Sequence, residues 1–225
     1  SGKSKGQFYT PAEVSRILAA VLEADTYKEG QTIYDPTCGS GSLLLKVGDV
    51  IEKPVTLYGQ EKDVSTAALA QMNMILHGSP TAEVARGNST LAKPEFTDQS
   101  GGLKKFDYVV ANPPFSLKNW TNGFDPENDL FGRFDGFGVP PQKNGDYAFL
   151  LHIVASLKTN GKAAVILPHG VLFRGNAEED IRTELIKRGL IKGIIGLPAN
   201  LFYGTGIPAC IVVLDKEGAS ERTNI

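Results

Sequence analysis

Residues Thr32 to Val47 read TIYDPTCGSGSLLLKV. Thr32 to Tyr34 has the size and apolar character of a short strand, and the segment from Ser42 to Ile51 reads as a helix. Between them, Asp35 to Gly41 is punctuated by proline and two glycines, which makes it a turn. A strand delivered through a glycine-rich turn into a helix is the opening unit of an α/β sheet. The turn is neither GxGxxG nor GxxxxGK[ST], so a dinucleotide or ATP phosphate loop is not indicated. Gly39 and Gly41 would let backbone approach a ligand closely, and Asp35 can accept hydrogen bonds from an ammonium or organise the loop. Taken alone, the stretch is explained equally well as a tight turn that binds nothing.

The alternation continues on both sides. Upstream, Thr10-Pro11-Ala12-Glu13 has the pattern of a capping box with proline at the first helical position. Val14, Ile17, Leu18, Val21 and Leu22 follow as one apolar helix face. Downstream, Thr56 to Gln60 is a strand, and Asp63 caps a helix that Gly78 closes. Ala82 to Ala85 and Phe106 to Ala111 are strands, Tyr147 to Leu157 a helix, Lys162 to Leu167 a strand, and Glu178 to Arg188 a helix. Leu190 to Leu197 and Pro208 to Leu214 are the last two strands. Such an order predicts a mainly parallel sheet covered on both faces, with ligands at the carboxyl ends of its strands.

Of the 225 residues, 41% are hydrophobic and 21% charged, which suits an ordinary globular domain with a large core. No apolar run reaches the roughly 18 residues that span a bilayer, so no membrane is expected as a partner. Cys38 and Cys210 are the only cysteines, which argues against a disulfide framework and for the reducing cytoplasm. The three histidines, His77, His152 and His169, show no ligand spacing, and no metal is expected. With a net charge of −2 the chain lacks the basic footprint of a self-sufficient duplex binder, so affinity for a long polyanion would come mostly from elsewhere. Ser116 to Gly145 breaks the regular pattern with Gly, Asn, Asp and Pro and scattered aromatic residues. With no periodic apolar face to bury, it reads as a long mobile loop that could close over a substrate.

The strand Phe106 to Ala111 runs into Asn112-Pro113-Pro114-Phe115. Two prolines neither extend a ladder nor continue a helix, so they fix a rigid turn. An amino group on an aromatic ring is a poor nucleophile, because its lone pair is delocalised into the ring. Two acceptors that each take one N–H, the Asn112 side-chain oxygen and the Pro113 carbonyl, would free that lone pair. Phe115 offers a face for a planar base, worth about 1–3 kcal/mol by analogy with single-strand binders. A proline turn that merely caps a strand is the alternative. Glu61, ending the strand that begins at Thr56, is placed for ribose hydroxyls, and Asn88 could read an adenine edge; a solvated carboxylate and a turn asparagine are the plainer readings.

GQFYTP (Gly6 to Pro11), DPTCGSG, GQE (Gly59 to Glu61) and NPPF, in this order, resemble the amino-methyltransferases of DNA. GQFYTP ahead of DPTCGSG is similar to the modification subunit of type I restriction–modification systems. The likeness continues through GDYAFLLHI, GKAAVILPHGVLFR and LPANLFYGTGIPACIVVLD. It implies a Rossmann-like methyltransferase fold, a seven-stranded sheet with an antiparallel last strand, and methylation of adenine N6 in DNA. S-adenosylmethionine would lie across Gln7, Phe8, Tyr9, Thr10, Pro11 and Ala12. It would also meet Asp35, Pro36, Thr37, Cys38, Gly39, Ser40, Gly41 and Ser42, then Glu61 at its ribose, Asn88, Ser89 and Asn112. Asn112, Pro113, Pro114 and Phe115 would hold the target adenine, with Phe202 stacked on its other face. Position 88 is Asn where relatives often carry Asp, and position 115 is Phe where many carry Tyr. Partners implied are double-stranded DNA, a separate specificity subunit and a restriction subunit, in a multisubunit complex. The family's flanking helical regions are missing here, so residues 1–225 are expected to form one catalytic domain. Two other readings keep the pocket: a methyltransferase of RNA or of protein glutamine, which GQFYTP disfavours, and a cofactor-binding scaffold without activity of its own.

Overall fold

A computed structural model describes residues 10–51, 55–202 and 206–225. Gln7, Phe8 and Tyr9 of GQFYTP and the YGT of NLFYGTG lie outside the described residues. Seven strands form one sheet: β1 Thr32–Asp35, β2 Thr56–Glu61, β3 Glu83–Arg86, β4 Phe106–Ala111, β5 Leu157–Pro168, β6 Ile191–Gly196 and β7 Ala209–Asp215. The helices are α1 Ala12–Val21, α2 Ser42–Gly48, α3 Val64–Leu76, α4 Asp146–Ser156 and α5 Ala177–Lys187. Sheet order is β3-β2-β1-β4-β5-β7-β6. The first five strands pair in parallel, and β7 runs antiparallel to both β5 and β6. The mainly parallel sheet expected from the sequence is therefore observed.

β4 is buried along its whole length, as a strand covered on both faces must be. Its alternate residues feed two cores. Tyr108 and Val110 join Leu18, Leu44 and Met74 under α1, α2 and α3, while Val109 and Ala111 join Phe149, Ile153 and Leu185 under α4 and α5. Order along the sheet reverses between β1 and β4, since the chain runs from β1 toward β3 on one side and from β4 outward on the other. A crevice at the carboxyl ends follows from that reversal. Among the described residues no helix is long and apolar enough to cross a membrane.

Four expectations need correction. Thr10 does not cap α1: Pro11 occupies the N-cap with no side-chain cap bond, and the Thr10 hydroxyl accepts from Asn112 instead. α2 stops at Gly48 rather than Ile51, the chain leaving through two tight turns at Val50 and Ile51. β5 begins at Leu157, earlier than expected, because its register against β4 jumps between Phe106 and Tyr108 and absorbs the intervening residues. Finally, the Ser116 to Gly145 segment buries side chains despite its lack of period. Trp120 and Phe134 pack into the core below α4, and the Trp120 indole donates to the Pro141 carbonyl at 3.0 Å. At its centre Arg133 is 2% exposed, paired with Asp129 at 2.6 Å and donating to the carbonyls of Leu91 and Thr90. Phe124, Phe131 and Phe134 surround the guanidinium, so scattered aromatic residues are gathered by one cation.

Candidate active site

The carboxyl ends of β1, β2 and β4 open on one cavity of about 640 Å³, a size suited to a small molecule. It is lined by Thr10, by Asp35 to Ser40 and Ser42, by Gln60 and Glu61, by Ser89 and Thr90, and by Asn112 and Pro114. The fold thus brings together most of the positions singled out in the sequence.

The turn after β1 forms the floor. Asp35 is buried, and its Oδ1 accepts from the Thr37 N–H at 2.9 Å and the Thr37 hydroxyl at 3.4 Å. Burial pushes its carboxyl up to about 7, the Thr37 hydrogen bonds pulling the other way and the Glu61 charge adding to the rise. Cys38 also lines the cavity, but burial drives its thiol well above the ordinary range, which leaves it a packing residue rather than a nucleophile. The two glycines differ. Gly39 has φ +54 and open space where a Cβ would stand, so it leaves the backbone bare toward the cavity. At Gly41, φ +79, a Cβ would come within 2.6 Å of Met74 Cε in α3, and Gly41 is not among the residues that line the cavity.

Glu61 links two turns. Its Oε2 accepts from the Gly39 N–H at 3.1 Å and its Oε1 from the Asp63 N–H at 2.8 Å. Each oxygen keeps a second lone pair that a diol could use. Its neighbour Gln60 is fully buried, donating to the carbonyls of Asn88 and Lys93 and accepting from the Glu95 N–H. Those three bonds hold the 88–95 segment against the end of β2. In the sequence GQE marks its acid; the part played by Gln60 comes from the fold, the one signal being an uncharged polar residue inside an otherwise apolar strand.

Asn88 stands apart from the lining. Its side chain donates to Glu95 at 2.5 Å, and it is absent from the cavity lining, where Ser89 and Thr90 stand instead. Thr90 donates its hydroxyl to the Pro36 carbonyl at 2.5 Å, tying this segment to the turn after β1. Leu117 and Phe149 also line the cavity without having been anticipated.

The Asn112 Nδ2 donates to Thr10 Oγ1 at 3.0 Å, so the start of α1 orients this amide at the end of β4. Phe115 and Phe202 meet edge to face, with centroids 6.1 Å apart and ring planes at 79°. A flat base cannot lie between perpendicular rings in contact, so the expected two-sided stack is not formed in this arrangement. Phe202 is 3% exposed and belongs to the core below α1 and α2, which explains its orientation.

All of residues 1–225 match the family model described as N-6 DNA methylase. The chain belongs to the N-6 DNA methylase family. The type I restriction enzyme MpnII methylase subunit of Mycoplasma pneumoniae is 38% identical over 96% of this chain and 41% of its own length. The MjaVII methylase subunit of Methanocaldococcus jannaschii is 34% identical, over 97% and 38%. A crystal structure of a type I restriction–modification methyltransferase subunit from Streptococcus thermophilus superposes with a TM-score of 0.84 and 41% identity, covering 99% of this chain and 47% of that one. The resemblance drawn from the ordered motifs is thus met by the match to N-6 DNA methylases. This chain spans less than half the length of each of these relatives.

Proposed function

We propose that this domain transfers a methyl group from S-adenosylmethionine to the N6 amino group of adenine in DNA, within the modification subunit of a type I restriction–modification system. One observation carries the reading: Asn112 and Pro114 share a single cavity with Asp35, Gly39 and Glu61. The NPPF turn and the turns after β1 and β2 therefore face the same space.

The residues present fit the cofactor. A cationic ligand suits a cavity whose lining carries three carboxylates, Asp35, Glu61 and Asp63, against one ammonium, Lys62, and bare backbone at Gly39 suits close approach. Asp35 would pair with the ammonium, Glu61 would accept from the ribose hydroxyls, and Ser89, also in the lining, would meet the adenine. When bound, the sulfonium supplies an electrophilic methyl group with a neutral thioether as leaving group. The chain's own task is the other reactant. Asn112 Oδ1 and the Pro113 carbonyl would each take an N–H of the target amine and localise its lone pair, while Phe115 supports the ring. The base must leave the duplex to reach this depth, at a cost of a few kcal/mol that stacking offsets. Stacking on both faces requires Phe202 to turn away from Phe115.

Double-stranded DNA and a separate specificity subunit are the partners this reading implies, in keeping with the net charge of −2. The test is incubation with methyl-labelled S-adenosylmethionine and unmethylated DNA, with and without the specificity subunit. Label recovered as N6-methyladenine in the assembled enzyme supports the proposal. Cofactor binding with no label in DNA under any assembly would leave a scaffold and overturn it.

A further inference from the structure

Behind the NPPF turn, the chain takes a strained step at Ser116, whose φ is +48. A serine pays for left-handed backbone unless something holds it there. The holder is Asp146, the first residue of α4, thirty positions along the chain. Its Oδ1 accepts from the Ser116 N–H at 2.7 Å and its Oδ2 accepts from the Ser116 hydroxyl at 3.4 Å. Asp146 is 0% exposed, so its charge must be matched locally. Arg174 does this, donating Nη2 to Asp146 Oδ2 at 2.5 Å and Nε to Glu178 Oε2 at 2.6 Å. Glu178 is itself buried in the first turn of α5. Arg182, one turn further along α5, donates to the carbonyls of Arg174 and Val171 and fixes the strand-to-helix connection that carries Arg174.

We infer that Asp146 is a positioning residue for methyl transfer, setting the exit of the NPPF turn through Ser116 and held in place by Arg174 and Glu178. The inference rests on the methyltransferase reading given above. Asp146 does not itself line the cavity. Its carboxylate fixes the residue that follows Phe115, and through it the direction of the Asn112 to Phe115 backbone. Misplacing reacting groups by an ångström costs about a hundredfold in rate, which is the scale on which such a hold matters. A purely structural ion pair would lower stability without separating turnover from cofactor binding.

The test has two arms. Hydrogen exchange on this chain, comparing parent and Asp146→Ala, is expected to show the Ser116 amide exchanging at least about tenfold faster while the later turns of α4 and the amides of β5 stay protected. In the enzyme assembled with its specificity subunit, Asp146→Ala is expected to lower kcat at least about tenfold with the cofactor Kd within about twofold of the parent. Asp146→Asn keeps the shape and one acceptor for Ser116 but sets an NH2 against Arg174, so an intermediate loss of kcat is expected if the alanine variant does not fold. Parental kcat in the variants, or loss of kcat and cofactor affinity together, would overturn the positioning role. Failure of the parental assembly itself to methylate DNA would instead remove the reading on which it rests.

Discussion

The side-chain nitrogen of Asn112 donates to the hydroxyl of Thr10 at 3.0 Å, across 102 residues of sequence. The bond joins the end of the GQFYTP block to the start of NPPF, and it sets which way the Asn112 amide faces. Thr10→Val keeps the shape and deletes the acceptor. Methyl transfer by the assembled enzyme is expected to fall about tenfold in kcat, the scale of one buried hydrogen bond lost with its partner left unsatisfied. An unchanged kcat in single-turnover assays would show that Thr10 does not orient Asn112.

Both ends of that bond were visible in the sequence, but the bond was not. A capping box is a local pattern, and Thr10 followed three residues later by Glu13 satisfies it; only the fold brings in a competing donor. Where signals were local and uncontested they held, as at Asp63, whose side chain accepts from the Thr66 N–H at 2.8 Å and starts α3. The neighbours of Gly41 and Asn88 were hidden for the same reason as the Thr10 bond, since Met74 and Glu95 are neither adjacent nor marked by any period. Arg133 shows the limit from the other side, since a cation in a Gly- and Asp-rich run reads as solvated until the aromatic residues fold around it.

With Asp35 paired to the cofactor ammonium as proposed, cofactor binding is expected to depend on pH. Its carboxyl is raised from 3.8 to about 7, chiefly by burial, so between those values the folded protein holds a proton that the unfolded chain has released. Its contribution to stability is therefore fully present below the ordinary carboxylate value and is lost as pH rises to about 7. A cationic ligand favours the ionised form. Calorimetry at pH 6 in buffers of different ionisation enthalpy is expected to show about one proton released on cofactor binding. Affinity should rise with pH and level off above about 7. Asp35→Asn should bind more weakly with a flat profile; a parental profile already flat from pH 5 to 8 would remove Asp35 from the site.

Arg133 anchors the 116–145 segment to the wall of the cavity. Removing one partner of a buried pair leaves an uncompensated charge, so Arg133→Met is expected to cost about 3–5 kcal/mol in denaturant unfolding. Combining it with Asp129→Leu should recover part of that loss. Because Arg133 binds the carbonyls of Thr90 and Leu91, cofactor affinity should drop in the single variant as well. Stability within about 1 kcal/mol of the parent would mean the segment is held by its aromatic residues alone.

As proposed, Asn112 acts on the amine of the target adenine. In the enzyme assembled with its specificity subunit, single-turnover methyl transfer by Asn112→Ala should be measured beside its cofactor affinity. Transfer is expected to be abolished with the cofactor Kd nearly unchanged, because the proposed contact is made to the amine and strengthens as the transition state forms. Methylation of DNA by Asn112→Ala at the parental rate would reduce NPPF to a strand cap and contradict the assignment.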